Sequence, residues 1–321
     1  MTSPQHDYNH LKDMINGRVK AFFFGEFFII LTAALWGIIS LFSRPLNALG
    51  FSSAEITFMR SLLAVVFLGI FLLITNEKLF IVSLRDIPLL IFLGIGCFMT
   101  VCLLYTLSIE ENGSSVAAML EYTSPIWTVI LSRIIFKEKI TIVKVIALVG
   151  VLGGCAMLSF GGEIRLSVKG LLYGFGTGLF LAFYGVFSKI AGRKYSSETV
   201  TFYMFLFSAL GAFFVSAAWN IPIKIANAPI SIWYFIGFAA FPTILAYVLY
   251  TVGLKTVSAG KASMLSTVEI IVATMVGLIV FNDDVGVIGY IGMVVTVLSL
   301  VFLELGDKRS KRKKTIKAET E

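Results

Sequence analysis

Residues 114–138 read SSVAAMLEYTSPIWTVILSRIIFKE, and the pattern occurs twice in the chain. Moved by 145 positions, from 114 to 259, the stretch meets residues 259–283, AGKASMLSTVEIIVATMVGLIVFND. Ala117, Met119, Leu120, Ile126, Ile134 and Phe136 fall on Ala262, Met264, Leu265, Ile271, Ile279 and Phe281, and Glu138 falls on Asp283. The register extends upstream without a gap, so that Leu104, Tyr105 and Thr106 meet Leu249, Tyr250 and Thr251. Nearer the N-terminus the offset becomes 148, and Trp36-Gly37-Ile38-Ile39-Ser40 meets Tyr184-Gly185-Val186-Phe187-Ser188. Two short blocks matched in order, with loop charges agreeing, mark an internal repeat.

Both copies of the pattern are apolar, and so is most of the chain. Of 321 residues, 58% are hydrophobic and 14% are charged, and the mean hydropathy is +0.92. Soluble domains are about 45–50% apolar and about 25% charged. A soluble fold of this length could not cover so much apolar surface, so the bilayer acts as part of the solvent. This excludes a secreted enzyme, a disordered protein and a nucleic-acid domain.

The apolar runs predict ten spans, near 22–43, 54–75, 87–108, 114–135, 142–160, 168–189, 198–219, 230–252, 260–281 and 286–305. Each is long enough for about 30 Å of hydrocarbon at 1.5 Å per residue. Backbone groups in hydrocarbon must be satisfied within the segment, and the alternation of barrel strands is missing, so the spans are helices. The reading is an all-α polytopic membrane protein of ten transmembrane helices, arranged as two inverted five-helix repeats. An odd number of helices per repeat makes the second half enter from the opposite side, the plan of many secondary transporters. The boundaries are a tail at 1–21, a first repeat at 22–160, a second at 168–305 and a basic tail at 306–321. The first apolar run is too long for a signal-peptide core and reads as a retained helix.

Charge sets the orientation. With the N-terminus inside, 21 of the 26 Lys and Arg fall in inner segments, seven of them in the tail after 305, and four fall in outer loops. Arg60 is the only basic residue placed firmly inside a span; the others within the ranges sit at their ends. Both termini are therefore expected in the cytoplasm, in the plasma (inner) membrane. The formal net charge of +7 is mainly a topology signal, not a sign of nucleic acid.

Intramembrane ionisable residues are costly and point to function. Glu121 and Glu269 are the clearest. In the fourth span Ser114, Ala117, Glu121, Ser124, Thr128 and Ser132 recur at three- and four-residue steps, one face of a helix. In the ninth, Ala262, Ser266, Glu269, Ala273 and Gly277 do the same. Such faces turn from lipid toward a cavity or a neighbour. Pro125, four residues past Glu121, predicts a kink at its carbonyl, and Pro242 predicts one in the eighth span. Arg60 is read as a gating or charge-pairing residue: it could pair with a carboxylate, close an extracellular gate, or bind a substrate carboxylate through its bidentate fork. Trp36, Ser40, Tyr184, Ser188 and Tyr247 join Ser124, Thr128 and Ser266 as candidate cavity wall. Tyr105 and Tyr250 are placed near a rim. Glu26, Glu55 and Glu304 are read as interfacial.

Enzyme motifs are absent. The two histidines, His6 and His10, lie in the N-terminal tail, and no phosphate-binding GxxxxGK[ST] loop occurs. Cys97, Cys102 and Cys155 sit singly in apolar runs, which suits packing rather than disulfides or metal. The sequence calls for no cofactor and no metal. A monomer is consistent with this plan, though the sequence fixes no oligomeric state.

The same residues carry a family resemblance. Leu35-Trp36-Gly37, Phe58-Met59-Arg60, the stretch from Ser114 to Pro125 leading into Phe136-Lys137-Glu138, and Ser263 to Glu269 together resemble the ten-helix EamA-type members of the drug/metabolite transporter superfamily. The resemblance covers roughly residues 25–305. Two positions depart from the family pattern: Lys137 stands where glycine is usual in Leu-Gly-Glu, and Ile270 follows Glu269 where proline is common. The resemblance implies a compact bundle with a central cavity between two inverted halves.

The resulting expectation is a secondary active transporter of a small organic metabolite, amino acid-like or amphiphilic and drug-like. It would work by alternating access, in the export direction, with proton exchange at Glu121 and Glu269. A facilitator or exchanger without proton coupling, and then a channel, are the alternatives.

Overall fold

The computed structural model describes residues 24–159 and 167–320, with side chains through 158 and from 167 to 306. The tail at 1–21 lies outside the described residues. Among those described, every regular element is a helix.

In chain order the helices are α1 (Phe24–Ala48), α2 (Ser53–Thr75), α3 (Leu84–Asn112), α4a (Ser114–Glu121), α4b (Ser124–Ile135) and α5 (Ile142–Ser159). The second half holds α6 (Val168–Ala191), α7 (Ser197–Val215), α8 (Ser231–Leu254), α9a (Ala259–Ser266), α9b (Val268–Val280) and α10 (Gly286–Thr320). Eight helical stretches are long and apolar enough to cross a membrane: α1, α2, α3, α6, α7, α8, α9 taken through its break, and α10 as far as Gly306. The other two expected crossings fall short for different reasons. The apolar part of α5, Ile142–Leu158, is shorter, and the fourth span is cut into pieces of 8 and 12 residues.

The repeat is written in the backbone as well as in the sequence. Lys137 and Asn282, related by the 145 shift, both have φ of 55°. At each, the chain leaves a helix through the same pair of bonds. Phe136 and Glu138 donate their N–H groups to Ser132 O at 3.0 and 3.2 Å, and Phe281 and Asp283 donate to Gly277 O at 3.1 and 3.0 Å. A helix that ends this way needs a left-handed residue, which accounts for the family's glycine where this chain has Lys137. A wider π-type coil also recurs, at Phe92–Met99 in α3 and Ala239–Leu245 in α8. Pro242 lies inside the second of these, where the distortion absorbs its missing N–H.

Small residues bring the helices together. A Cβ on Gly154 of α5 would lie 2.2 Å from Thr296 Oγ1 and 2.7 Å from Gly292 O of α10. Ser61 and Ser208 join α2 to α7 at 3.2 Å, and Ser108 donates to Gly170 O, joining α3 to α6, at 3.0 Å. The outer surface is apolar: Ile74, Val149, Leu172, Phe214, Ile279 and Leu298 are all exposed. A continuous apolar exterior of this kind is stable against lipid, not water.

Candidate functional site

Three helices lose their regular coil halfway along, and all three meet at one cavity. In α1 the break is at Ile38–Ile39, where the N–H of Ile39 bonds Trp36 O at 2.9 Å. Between α4a and α4b it is at Tyr122–Thr123, and between α9a and α9b at Thr267. The last two are equivalent in the repeat. Thr123 and Thr267 each turn the hydroxyl back onto a carbonyl three residues earlier, Leu120 O and Met264 O, both at 2.6 Å. Pro125 sits in the first turn of α4b, a position where its missing N–H costs nothing. The expected kink is thus a full stop and restart of the helix.

The cavity has a volume of about 430 Å³, within the range of small-molecule sites. Glu121, the last residue of α4a, and Glu269, in the first turn of α9b, both line it. Both are half-buried, and neither forms an ion pair among the described residues. Arg60, Trp36, Ser40, Ser124, Pro125, Tyr184, Tyr247 and Ser266 line the same cavity. Ten residues singled out in the sequence thus line one cavity.

Four expectations need correction. Thr128 is buried behind the wall, donating to Ser124 O at 2.9 Å and Ser263 Oγ at 3.2 Å, because a helical face turns past the cavity after one turn. Ser188, one turn beyond Tyr184, is fully buried and also lies off the wall. Tyr105 and Tyr250, placed near a rim, line the cavity instead. Arg60 does not pair with a carboxylate among the described residues: it is 7% exposed, with its guanidinium 4.6 Å from the ring centre of Phe98 and 5.1 Å from that of Phe238. Its Nη2 donates to Cys102 Sγ at 3.1 Å. The aromatic wall is continuous: Phe98 and Trp36 each contact Tyr247, at centroid distances of 5.3 and 5.1 Å.

Other charged groups sit at the two ends of the bundle. Glu26 is buried, and with Glu304 it holds the fully buried Lys261, whose Nζ lies 2.5 Å from Glu26 Oε1 and 2.6 Å from Glu304 Oε2. The cation count places Lys261 among the inner segments, and position near span ends makes the two glutamates interfacial; the structure instead buries Lys261 and Glu26. Asp86, joined to Lys194 and Tyr195, lies at the same end. At the other end Glu55 caps α2 through Ser52 and pairs with Lys224 at 2.7 Å. Arg44 also grips Asp283 there with two bonds of 3.0 and 2.5 Å, which hold the Asp283 carboxyl below the usual range. Glu26–Lys261, Asp86–Lys194, Glu55–Lys224 and Arg44–Asp283 each join one repeat to the other.

A model of the EamA-like transporter family matches residues 23–160 and again 168–305. An uncharacterized transporter of Archaeoglobus fulgidus is 30% identical over 271 residues, covering 84% of this chain and 92% of the relative. The uncharacterized inner membrane transporter YicL of Salmonella typhimurium is 23% identical, over 88% of this chain and 96% of its own. The uncharacterized transporter YyaM of Bacillus subtilis is 28% identical, over 65% and 68%. One solved crystal structure shares the fold with a TM-score of 0.72 at 17% identity, covering 91% of this chain and 98% of that one. The chain, matched by the family model in both halves, belongs to the EamA-like transporter family.

Proposed function

We infer that the protein is a secondary active transporter that carries a small organic metabolite across the plasma membrane by alternating access. The cargo is amino acid-like or amphiphilic and drug-like, and the physiological direction is export. The two repeats rock against each other about the cavity, with both termini in the cytoplasm and the second repeat inverted. The observation that carries this reading is the meeting of two broken, repeat-related helices at one cavity, each bringing a carboxylate. Interrupted helices at mid-membrane free backbone groups for a solute only where they line a cavity.

Glu121 and Glu269 are the substrate and proton groups in this reading. Protonation and solute binding compete for the same carboxylates, so a proton gradient drives the solute the other way. In this reading the proton gradient is the energy source. Proteoliposomes loaded with metabolite extract test it: a pH gradient should drive solute exchange, and Glu121→Gln with Glu269→Gln should abolish the coupling. Coupled transport that survives the double substitution refutes the role of the carboxylates. Solute exchange indifferent to the pH gradient would identify a facilitator instead.

A further inference from the structure

Arg60 carries a charge without an ion-pair partner among the described residues. It is 7% exposed, lines the cavity, and has no carboxylate within 4 Å among the described residues. Its hydrogen bond to Cys102 uses sulfur, a weak acceptor. Its Nε is buried without a partner. Phe98 and Phe238 hold the guanidinium through their ring faces, which fix its plane but leave its edges without a strong acceptor.

Two further groups on the cavity wall share this state. Trp36 Nε1 and Ser40 Oγ are buried and have no hydrogen-bond partner. Indole N–H can only donate, and a guanidinium can only donate. Arg60 and Trp36 are linked through the ring contacts of Phe98 and Tyr247. Helices α1 and α2 thus bring to one cavity three buried polar groups without partners, one of them on a fixed positive charge. Buried polar groups in native structures are almost always satisfied, so these groups are open to an acceptor that enters the cavity.

We propose that Arg60 docks a carboxylate of the transported solute in the cavity that Trp36 and Ser40 also line, so that the cargo is an organic acid or a zwitterion rather than a simple cation. The inference rests on the transport reading for the word cargo, but the docking site stands on its own geometry. A bidentate fork suits a carboxylate better than a halide or a hydroxyl. The aromatic wall formed by Trp36, Tyr184, Tyr247 and Tyr250 suits an apolar body attached to that carboxylate. Glu121 and Glu269 face the same space and would receive an ammonium group if the solute carries one.

The test uses the full-length protein in detergent and four probes that share a phenyl ring: phenylacetate, phenylalanine, 2-phenylethylamine and 2-phenylethanol. Binding is read by calorimetry and by the shift in unfolding temperature. Phenylacetate or phenylalanine should bind at least about tenfold more tightly than the amine and the alcohol, the scale of one charged hydrogen-bonded contact. Phenylalanine binding best assigns the ammonium to the glutamates; phenylacetate binding best assigns a plain acid; both support the proposal. Arg60→Gln should remove the advantage of the carboxylates while leaving 2-phenylethanol unchanged. If Arg60→Gln does not give a monodisperse protein, Arg60→Lys decides, since it keeps the charge but loses the fork and should weaken the carboxylates alone. No carboxylate binding, equal binding of amine or alcohol, or carboxylate binding undiminished in the variants overturns the proposal. Binding without flux in proteoliposomes would keep the Arg60 site and remove the transport reading.

Discussion

Replacing Lys261 by Met should destabilise the protein more than any substitution on its lipid-facing surface. Lys261 is fully buried and holds Glu26 and Glu304 through bonds of 2.5 and 2.6 Å. Each hydrogen bond to a charged group is worth about 1.5–3 kcal/mol, so two give about 3–6 kcal/mol. Removing one partner of a buried ion pair costs about 3–5 kcal/mol, because the remaining charge is left uncompensated. The two routes agree on about 3–5 kcal/mol. At about 2 °C per kcal/mol for a chain of this size, the unfolding temperature of purified Lys261→Met should fall by about 6–10 °C. The informative control neutralises the whole group. Glu26→Gln, Lys261→Met and Glu304→Gln together leave no charge of this group to strand among the described residues, and apolar or neutral replacement of a buried ionic group is often near neutral. The triple variant should therefore recover most of the loss, measured by thermal unfolding in the same detergent. A single variant as stable as the wild type, or a triple variant no more stable than the single one, would refute the reasoning.

Two further outcomes follow from the backbone and the helix contacts. Lys137 has φ of 55° at the end of α4b, a conformation costing an ordinary residue about 1–2 kcal/mol; Lys137→Gly should raise stability by about 0.5–1 kcal/mol after the greater freedom of glycine in the unfolded chain is counted, and a fall in unfolding temperature would contradict the left-handed cap. Gly154→Val should separate α5 from α10, since its Cβ alone would lie 2.2 Å from Thr296 Oγ1; a loss of about 1–3 kcal/mol is expected, and hydrogen exchange should rise in both helices but not in α2 or α7.

How much of this was legible in the sequence depended on what kind of signal carried it. The repeat was legible because identity and apolar periodicity coincide between 114–138 and 259–283, and the structure returns the same register in the paired left-handed residues Lys137 and Asn282. Glu121 and Glu269 were legible because charge inside an apolar run is rare. The wall was legible only to within a turn, which is why Ser124 and Ser266 reach the cavity while Thr128 and Ser188 do not. Helical period gives the face but not how far along it the cavity reaches: Ser124 and Thr128 share the unbroken α4b, and Tyr184 and Ser188 share the unbroken α6. The group at Lys261 was hidden for a different reason. Its partners lie 235 and 43 residues away, and a charge near the end of an apolar run looks solvated until another helix is known to cover it. Arg60 was identified as a candidate for a charge partner, but its actual neighbours, Phe98, Phe238 and Cys102, are all apolar or weakly polar and gave no local sign.

The four ion pairs that join the repeats differ greatly in their contact with solvent, and that difference has a consequence for ionic strength. The Arg44–Asp283 side chains are 48% and 39% exposed, and Lys194 is 57% exposed against Asp86, whereas the side chains of Lys261 and Glu26 are 1% and 8% exposed. Salt at about 0.15 M screens exposed charges beyond about 8 Å and weakens exposed pairs, but hardly reaches buried ones. Raising the salt therefore weakens one link at each end, Arg44–Asp283 and Asp86–Lys194, while Glu26–Lys261 at one end and Glu55–Lys224 at the other, with glutamate side chains only 8% and 4% exposed, persist. Dissolved electrolyte thus thins the ties at both ends and leaves one covered pair at each, a pattern set by where the chain hides its charges and independent of any solute in the cavity.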